Sequence, residues 1–307
     1  MEIDKNIILD MADKYNLMVN KFEPMEGGAA HSSYLLYTDR CNYVLTVFSI
    51  GLDRVIRLGE LLVLLAECEF PTTRLLHTAK GDIITTHKEK PVMLKRYITG
   101  RVCQDLNGTM LSQIGATMAE LNNLPVPDYL PDEHAYGLQY FSSIIGQNVN
   151  LEYESWLAKR FTYLNECISS ELPRGLIHGD VFYNNVLFEG EKFRAIIDFE
   201  EACYYYKVFD LGMGIIGLCI EGTTLMLDKA KALVAGYQRI RILEESEKRA
   251  LQLFVEYAAV ATSSWRFWKY NIDDPLANKL RNYSQMVIIA DKVASIPKAN
   301  FIEAIFS

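Results

Sequence analysis

Leu-Ile-His-Gly-Asp-Val-Phe-Tyr-Asn-Asn-Val-Leu-Phe occupies residues 176–188, and Ala-Ile-Ile-Asp-Phe-Glu occupies residues 195–200. In both segments an apolar run ends on a polar group. Leu176-Ile177 leads to His178-Gly179-Asp180, and Ala195-Ile196-Ile197 leads to Asp198. A buried strand that ends this way delivers its polar group to a cleft on a rigid support. Asn185 follows Asp180 by five positions, and Asp198 follows Asn185 by thirteen.

Phosphoryl transfer needs what these residues offer. A carboxylate must orient the attacking hydroxyl and accept its proton. Two oxygen ligands must hold Mg²⁺ against the phosphates, because the metal offsets charge on the transferring group. An Asp, four residues, an Asn, then a second metal-binding Asp on the next hairpin is the catalytic-loop pattern of kinases. Asp180 takes the catalytic position, and Asn185 and Asp198 take the metal positions. His178 stands where the loop histidine of that pattern stands. Two readings of it are open: a loop brace bonded to backbone, or a direct part in the chemistry.

Around this centre the chain has 307 residues, 50% of them hydrophobic and 23% charged. That suffices for a large core divided between two lobes. The net charge of −8 and pI of about 5.3 speak against nucleic acid or an anionic membrane as main partners. An acidic chain that binds ATP needs Mg²⁺ and local donors. None of the six cysteines forms a C-x-x-C pair or a zinc-type cluster, so free thiols in a reducing compartment are expected. The start Met-Glu-Ile-Asp-Lys lacks the texture of a signal peptide, and no apolar run approaches the ~18 residues of a membrane span. A cytoplasmic location is the expectation.

Along the chain the texture divides. A short amphipathic helix is expected over 4–17. Short β-rich runs follow at 21–25, 33–37 and 43–48, then a helix over 52–68 and strands at 74–78, 83–87 and 92–98. Beyond Thr99-Gly100-Arg101 the pattern is mainly helical, at 110–122, 138–147, 153–170, 225–239, 244–269 and 275–294, with the β island 176–199 inside it. The expected class is α+β, with a small antiparallel β-rich lobe over 1–98 and a larger helical lobe over 99–307.

His178-Gly179-Asp180 with Asn185 resembles the catalytic motif of the aminoglycoside phosphotransferase/choline kinase superfamily, a branch of the protein-kinase-like fold. The resemblance covers nearly the whole chain. Within the superfamily the chain looks most like the bacterial homoserine kinases of this fold. Three further segments carry that likeness: Tyr43-Val44-Leu45-Thr46-Val47-Phe48, Ile197-Asp198-Phe199-Glu200-Glu201-Ala202-Cys203, and Trp265-Arg266-Phe267-Trp268. In those kinases a Thr commonly stands where others carry a phosphate-binding Lys, as Thr46 does here. Phe209-Asp210-Leu211 is similar to the Asp-containing segment that follows the metal loop. Two positions depart from the pattern: Asn184 stands where Asp is usual, and Asn122 where His is common. The resemblance implies ATP and Mg²⁺ as cofactors, a small hydroxyl-bearing substrate, and conversion of homoserine to O-phosphohomoserine in threonine biosynthesis.

Secondary sites follow from that frame. Small residues at Gly27-Gly28, with Ser32 and Ser33, suit a phosphate-binding turn, although the same residues also suit an ordinary hairpin. Lys95 and Tyr97 mark the hinge, where backbone groups would meet adenine. Glu60, on the helix after the third strand, reads as a solvated carboxylate in the absence of a phosphate Lys. Arg266 suits a substrate carboxylate, which a guanidinium binds bidentately. Glu200 or Glu201 suits its ammonium, and either also suits the surface. Trp268 is a candidate pocket wall or a core ring. A choline, ethanolamine or aminoglycoside kinase is the alternative enzyme, and Thr46 motivates a third reading, a nucleotide-binding pseudokinase that acts as a partner protein.

Overall fold

The computed structural model describes residues 5–25 and 31–307, so the turn glycines Gly27 and Gly28 lie outside the described residues. The chain divides into two compact units. One comprises Met1–Arg101 with Arg194–Ile197, and the other Val102–Phe193 with Asp198–Ser307.

The first unit is built on an antiparallel sheet. Its elements are α1 (Lys5–Lys14), β1 (Lys21–Pro24), β2 (Ser32–Tyr37), β3 (Tyr43–Val47), α2 (Leu52–Glu67), β4 (Leu75–Leu76), β5 (Thr85–His87) and β6 (Lys90–Arg96). The strand order is β1-β2-β3-β6-β4, with β5 on β6. Alternation drives Leu36, Leu45 and Leu94 to one face, where Ile8 and Met11 of α1 and Tyr15 of the turn after it cover them. The apolar stripe of α2, Val55, Leu58, Leu61, Leu62 and Leu65, is buried. Glu60 points off that stripe and is exposed.

The second unit is mainly helical. It contains α3 (Gly108–Asn122), α4 (Leu138–Phe141), α5 (Leu151–Cys167), β8 (Arg174–Ile177), β9 (Val186–Glu189), β11 (Cys203–Tyr206), α6 (Lys207–Leu218), β12 (Ile220–Glu221), β13 (Thr224–Leu225), α7 (Leu227–Gln238), α8 (Glu245–Phe267), α9 (Asn282–Ser295) and α10 (Lys298–Phe306), while β7 (Arg101–Val102) and β10 (Lys192–Ile196) fall across the division. Helices α3 and α7 meet backbone to backbone. A Cβ at Gly115 would strike Leu233 O, and one at Gly236 would strike Ser112 O. Asn107 caps α3 by accepting the Met110 N–H at 3.0 Å. Among the described residues no helix is long and apolar enough to cross a membrane.

Two expected helices are shorter than their sequence pattern. The segment 138–147 is helical only to Phe141, because the buried Glu154 carboxylate gathers the N–H groups of Gly146, Asn148, Val149 and Asn150 into a turn. The segment 275–294 becomes helical at Asn282. Helix α6 was not expected from the sequence.

Candidate active site

Strand β8 pairs antiparallel with β11, placing Ile177 opposite Cys203. The loop that carries Asp180 leaves from this pair and is held from below. The Asp210 carboxylate on α6 accepts the N–H of Gly179 at 2.9 Å and of His178 at 3.2 Å. A Cβ at Gly217 on the same helix would strike Val181 O, so α6 lies directly against the loop. Gly179 adopts φ +80°, and a Cβ there would lie 2.8 Å from Glu201 O and from His134 Nε2. Only glycine suits that conformation in that space.

Asp180 is gripped at both carboxylate oxygens. Tyr136 donates its hydroxyl to Oδ1 at 3.1 Å, and Asn185 Nδ2 donates to Oδ2 at 3.0 Å and to the Asp180 carbonyl at 2.9 Å. Burial, then the charges of Asp198 and Glu201, push the Asp180 pKa up to about 7, against the pull of the two hydrogen bonds. Asp180, Asp198 and Glu201 therefore share one electrostatic neighbourhood. Asp198 is exposed and adopts the left-handed conformation, φ 70° and ψ 66°. A non-glycine residue held there costs roughly 1–3 kcal/mol, and such outliers cluster at functional sites.

His178 is entirely buried and spends Nδ1 on the Asp180 N–H at 3.1 Å, with its ring edge-on to Phe199. This favours the bracing role over direct chemistry. Asn122, which departs from the expected motif, leaves no unsatisfied group. It donates to Leu176 O at 2.9 Å and Asp210 Oδ2 at 3.3 Å, and accepts the Tyr237 hydroxyl at 2.6 Å. Asn184 is exposed and donates to Asn185 Oδ1 at 3.2 Å.

Among the described residues no group of three His, Cys, Asp or Glu side chains is arranged to hold a metal. The oxygens on offer are the Asn185 amide and the Asp198 carboxylate. Two hard protein donors, with the other positions left to water and phosphate, suit Mg²⁺. The residues present therefore fit the group.

Arg266 lies on the last turn of α8. Its Nη1 donates to Asn282 O at 3.3 Å and Gln285 Oε1 at 3.1 Å, both uncharged. Burial lowers its pKa, and Tyr270, Asp180, Tyr136 and Tyr183 oppose that shift, so Arg266 lies within electrostatic reach of Asp180. The ring that joins this group is Trp265 rather than Trp268. Trp265 pairs with Tyr136 at 6.2 Å and with Tyr270 at 6.1 Å, whereas Trp268 is 38% exposed. The cause is local: α8 ends at Phe267 and Trp268 opens a π turn, which breaks the spacing that put both indoles on one face. Of the two glutamates, Glu201 acts on Asp180 and Tyr136. Glu200 is half-buried.

In the first unit, Thr46 is buried at mid-strand, opposite Ser33 and Met93, with Ser33 Oγ 3.3 Å from Thr46 Oγ1. Ser32 pairs with Val47. The Lys95 ammonium lies 5.3 Å from the Phe48 ring centroid. The N–H groups of Arg96 and Tyr97 already donate to Arg74 O and Asn42 O. An adenine edge would therefore have to be met by carbonyls or by residues beyond Tyr97.

Sequence reasoning missed Tyr136 and His134. Both lie in an aperiodic stretch between α3 and α4. His134 Nδ1 accepts the Tyr136 N–H at 3.4 Å, so the proton resides on Nε2, which reaches Gly179 O at 3.0 Å.

A profile of the phosphotransferase enzyme family matches residues 21–243, from β1 through the loop that carries Asp180 and past α7. The chain belongs to that family. This phosphotransferase is 27% identical over 261 residues to the homoserine kinase of Zymomonas mobilis, spanning 79% of each chain. Its fold matches a solved amicoumacin kinase in complex with AMP-PNP and Ca²⁺, with a TM-score of 0.77 at 13% identity over 97% of both chains. It also matches a microcompartment-associated aminopropanol kinase, with a TM-score of 0.75 at 14% identity over 98% of this chain and 100% of the other. The fold is α+β and protein-kinase-like.

Proposed function

We propose that this phosphotransferase moves the γ-phosphoryl group of ATP to the hydroxyl of a small amino acid, homoserine foremost. The observation that carries this reading is a half-buried guanidinium, Arg266, whose hydrogen bonds go to uncharged partners and which lies within the electrostatic field of Asp180. Such a pair suits a substrate with a hydroxyl at one end and a carboxylate at the other. The likeness to a homoserine kinase over 79% of each chain supports it.

In this reading Asp180 orients the acceptor hydroxyl and takes its proton as the new O–P bond forms and the bond to the departing ADP breaks. Arg266 receives the substrate carboxylate. Glu201, already in the field of Asp180, faces the ammonium, with Glu200 the alternative. Trp265 forms part of the wall. Asn185 and Asp198 would hold Mg²⁺, whose chemistry is to offset charge on the phosphates. Ser32, Ser33, Thr46 and the hinge around Lys95 and Tyr97 are assigned to the nucleotide. Thr46 contributes a hydroxyl where a lysine would contribute charge.

The test is coupled detection of ADP release with homoserine, choline, ethanolamine, aminopropanol and an aminoglycoside. Turnover of homoserine at the highest kcat/KM is expected. Preference for an alcohol without a carboxylate would overturn the homoserine assignment and favour the second reading, an amino-alcohol kinase, to which the fold match with aminopropanol kinase lends support.

A further inference from the structure

We infer that Tyr136 is a positioning residue that sets which oxygen of Asp180 meets the acceptor. The inference rests on the reading of Asp180 as the group that orients the acceptor hydroxyl.

The two oxygens of Asp180 differ in their surroundings. Oδ2 is bound by Asn185 Nδ2, which also holds the Asp180 carbonyl. That side belongs to the loop itself. Oδ1 is bound by the Tyr136 hydroxyl at 3.1 Å. Tyr136 in turn lies 6.2 Å from Trp265, ring to ring, and within the field of Arg266. Tyr136 thus links Oδ1 to the ring and guanidinium assigned to the acceptor. A carboxylate has about four acceptor sites. One protein donor on each oxygen leaves a further lone pair on Oδ1 for the incoming hydroxyl.

The phenol can fix Asp180 only if it is itself fixed. Tyr136 is buried, 8% exposed. His134 holds the start of the same loop to Gly179 O, and its ring packs edge-on to Tyr136 at 4.2 Å. The Tyr136 hydroxyl also lies 3.4 Å from Gly179 O. One loop therefore grips the catalytic loop at Gly179 and at Asp180 together. A plain core tyrosine would need neither contact. Loss of the hydroxyl frees the carboxylate to rotate about its χ angles while the ring still fills its place.

The test compares the wild-type enzyme with Tyr136→Phe. Steady-state kinetics with whichever panel alcohol the wild type phosphorylates should show kcat lower by about ten- to a hundredfold, the range of a lost hydrogen bond to a charged group. The KM values for acceptor and nucleotide should stay within about threefold of the wild type, since binding contacts persist. Crystal structures of both proteins should show the Asp180 carboxylate rotated in the variant. An unchanged kcat overturns the inference, as does a change confined to acceptor KM, which would make Tyr136 a pocket wall only. A carboxylate in the same orientation in both structures overturns it too. That last readout needs no turnover: if the wild type phosphorylates none of the panel, the proposed function fails, while the carboxylate orientation still decides the part played by Tyr136.

Discussion

The Asp210 carboxylate accepts the Gly179 N–H at 2.9 Å and so fixes the backbone immediately before Asp180. Asp210 is entirely buried and also accepts from the His178 N–H and from Asn122 Nδ2. Three donors converge on it, and an acceptor-only group is needed to satisfy them. The bracing role of α6 follows from this contact more than from its length.

Asp210→Asn should therefore be costly despite its near-identical shape. An amide has one acceptor oxygen, and its NH₂ would face N–H donors. Each buried donor left unsatisfied costs about 1–3 kcal/mol. Thermal denaturation should show a clearly lowered Tm, and kcat should fall as the Gly179-Asp180 backbone loosens. A variant matching the wild type in both measurements would show that the convergence is not needed.

Asp180→Asn separates stability from chemistry. Loss of the proton acceptor should lower kcat by about 10²–10⁴-fold. In metal-free buffer the same change should stabilise the fold. The folded-state pKa is raised from 3.8 to about 7 by burial and by Asp198 and Glu201. A raised pKa means that the folded form prefers the protonated acid. Its contribution is fully present below pH 3.8 and is lost as pH rises through 7. The Tm advantage of the variant should then grow from pH 4 to pH 8 and level off. A Tm difference independent of pH would contradict this environment for Asp180.

His134 predicts the opposite pH limb. It is entirely buried, and burial pushes its pKa down from 6.5 to about 4. Between those values the unfolded chain binds a proton that the folded chain refuses. Stability is therefore complete above pH 6.5 and is lost as pH falls through 4, with His134 accounting for about 3 kcal/mol. His134→Gln retains a side-chain donor for Gly179 O without a titrating group. Its Tm should fall less steeply between pH 6.5 and 4 than that of the wild type. Parallel Tm curves over that interval would rule out the buried neutral ring.

The legible parts of the chain were those set by short-range pattern. Asp180, Asn185 and Asp198 lie within one β island, so their spacing alone implied a shared site. The strands of the first unit were visible as alternation around turn residues. Helix α6 was invisible because it has no polar face: Val208, Phe209, Leu211, Met213, Ile215 and Ile216 are all buried, and an all-round apolar segment carries no helical stripe. Tyr136 reaches Asp180 from 44 residues away, through a loop whose path no periodicity describes. The period of α8, carried past Phe267, puts Trp268 on the face of Trp265, but the helix changes its winding at that point.

Arg266→Ala tests the choice of substrate within the same fold. A guanidinium that binds a carboxylate bidentately contributes a charge-assisted pair, so its removal should raise the KM for homoserine by about a hundredfold or more. Turnover of choline or ethanolamine, which carry no carboxylate, should change by less than about threefold if either is accepted at all. Arg266→Lys should recover only part of the loss, because an ammonium keeps the charge but not the planar fork. Arg266 also donates to Asn282 O and Gln285 Oε1, so Gln285→Ala serves as the control for lost helix contacts. A Gln285→Ala enzyme that loses homoserine turnover as severely as Arg266→Ala would assign Arg266 to holding α8 against α9, not to the substrate.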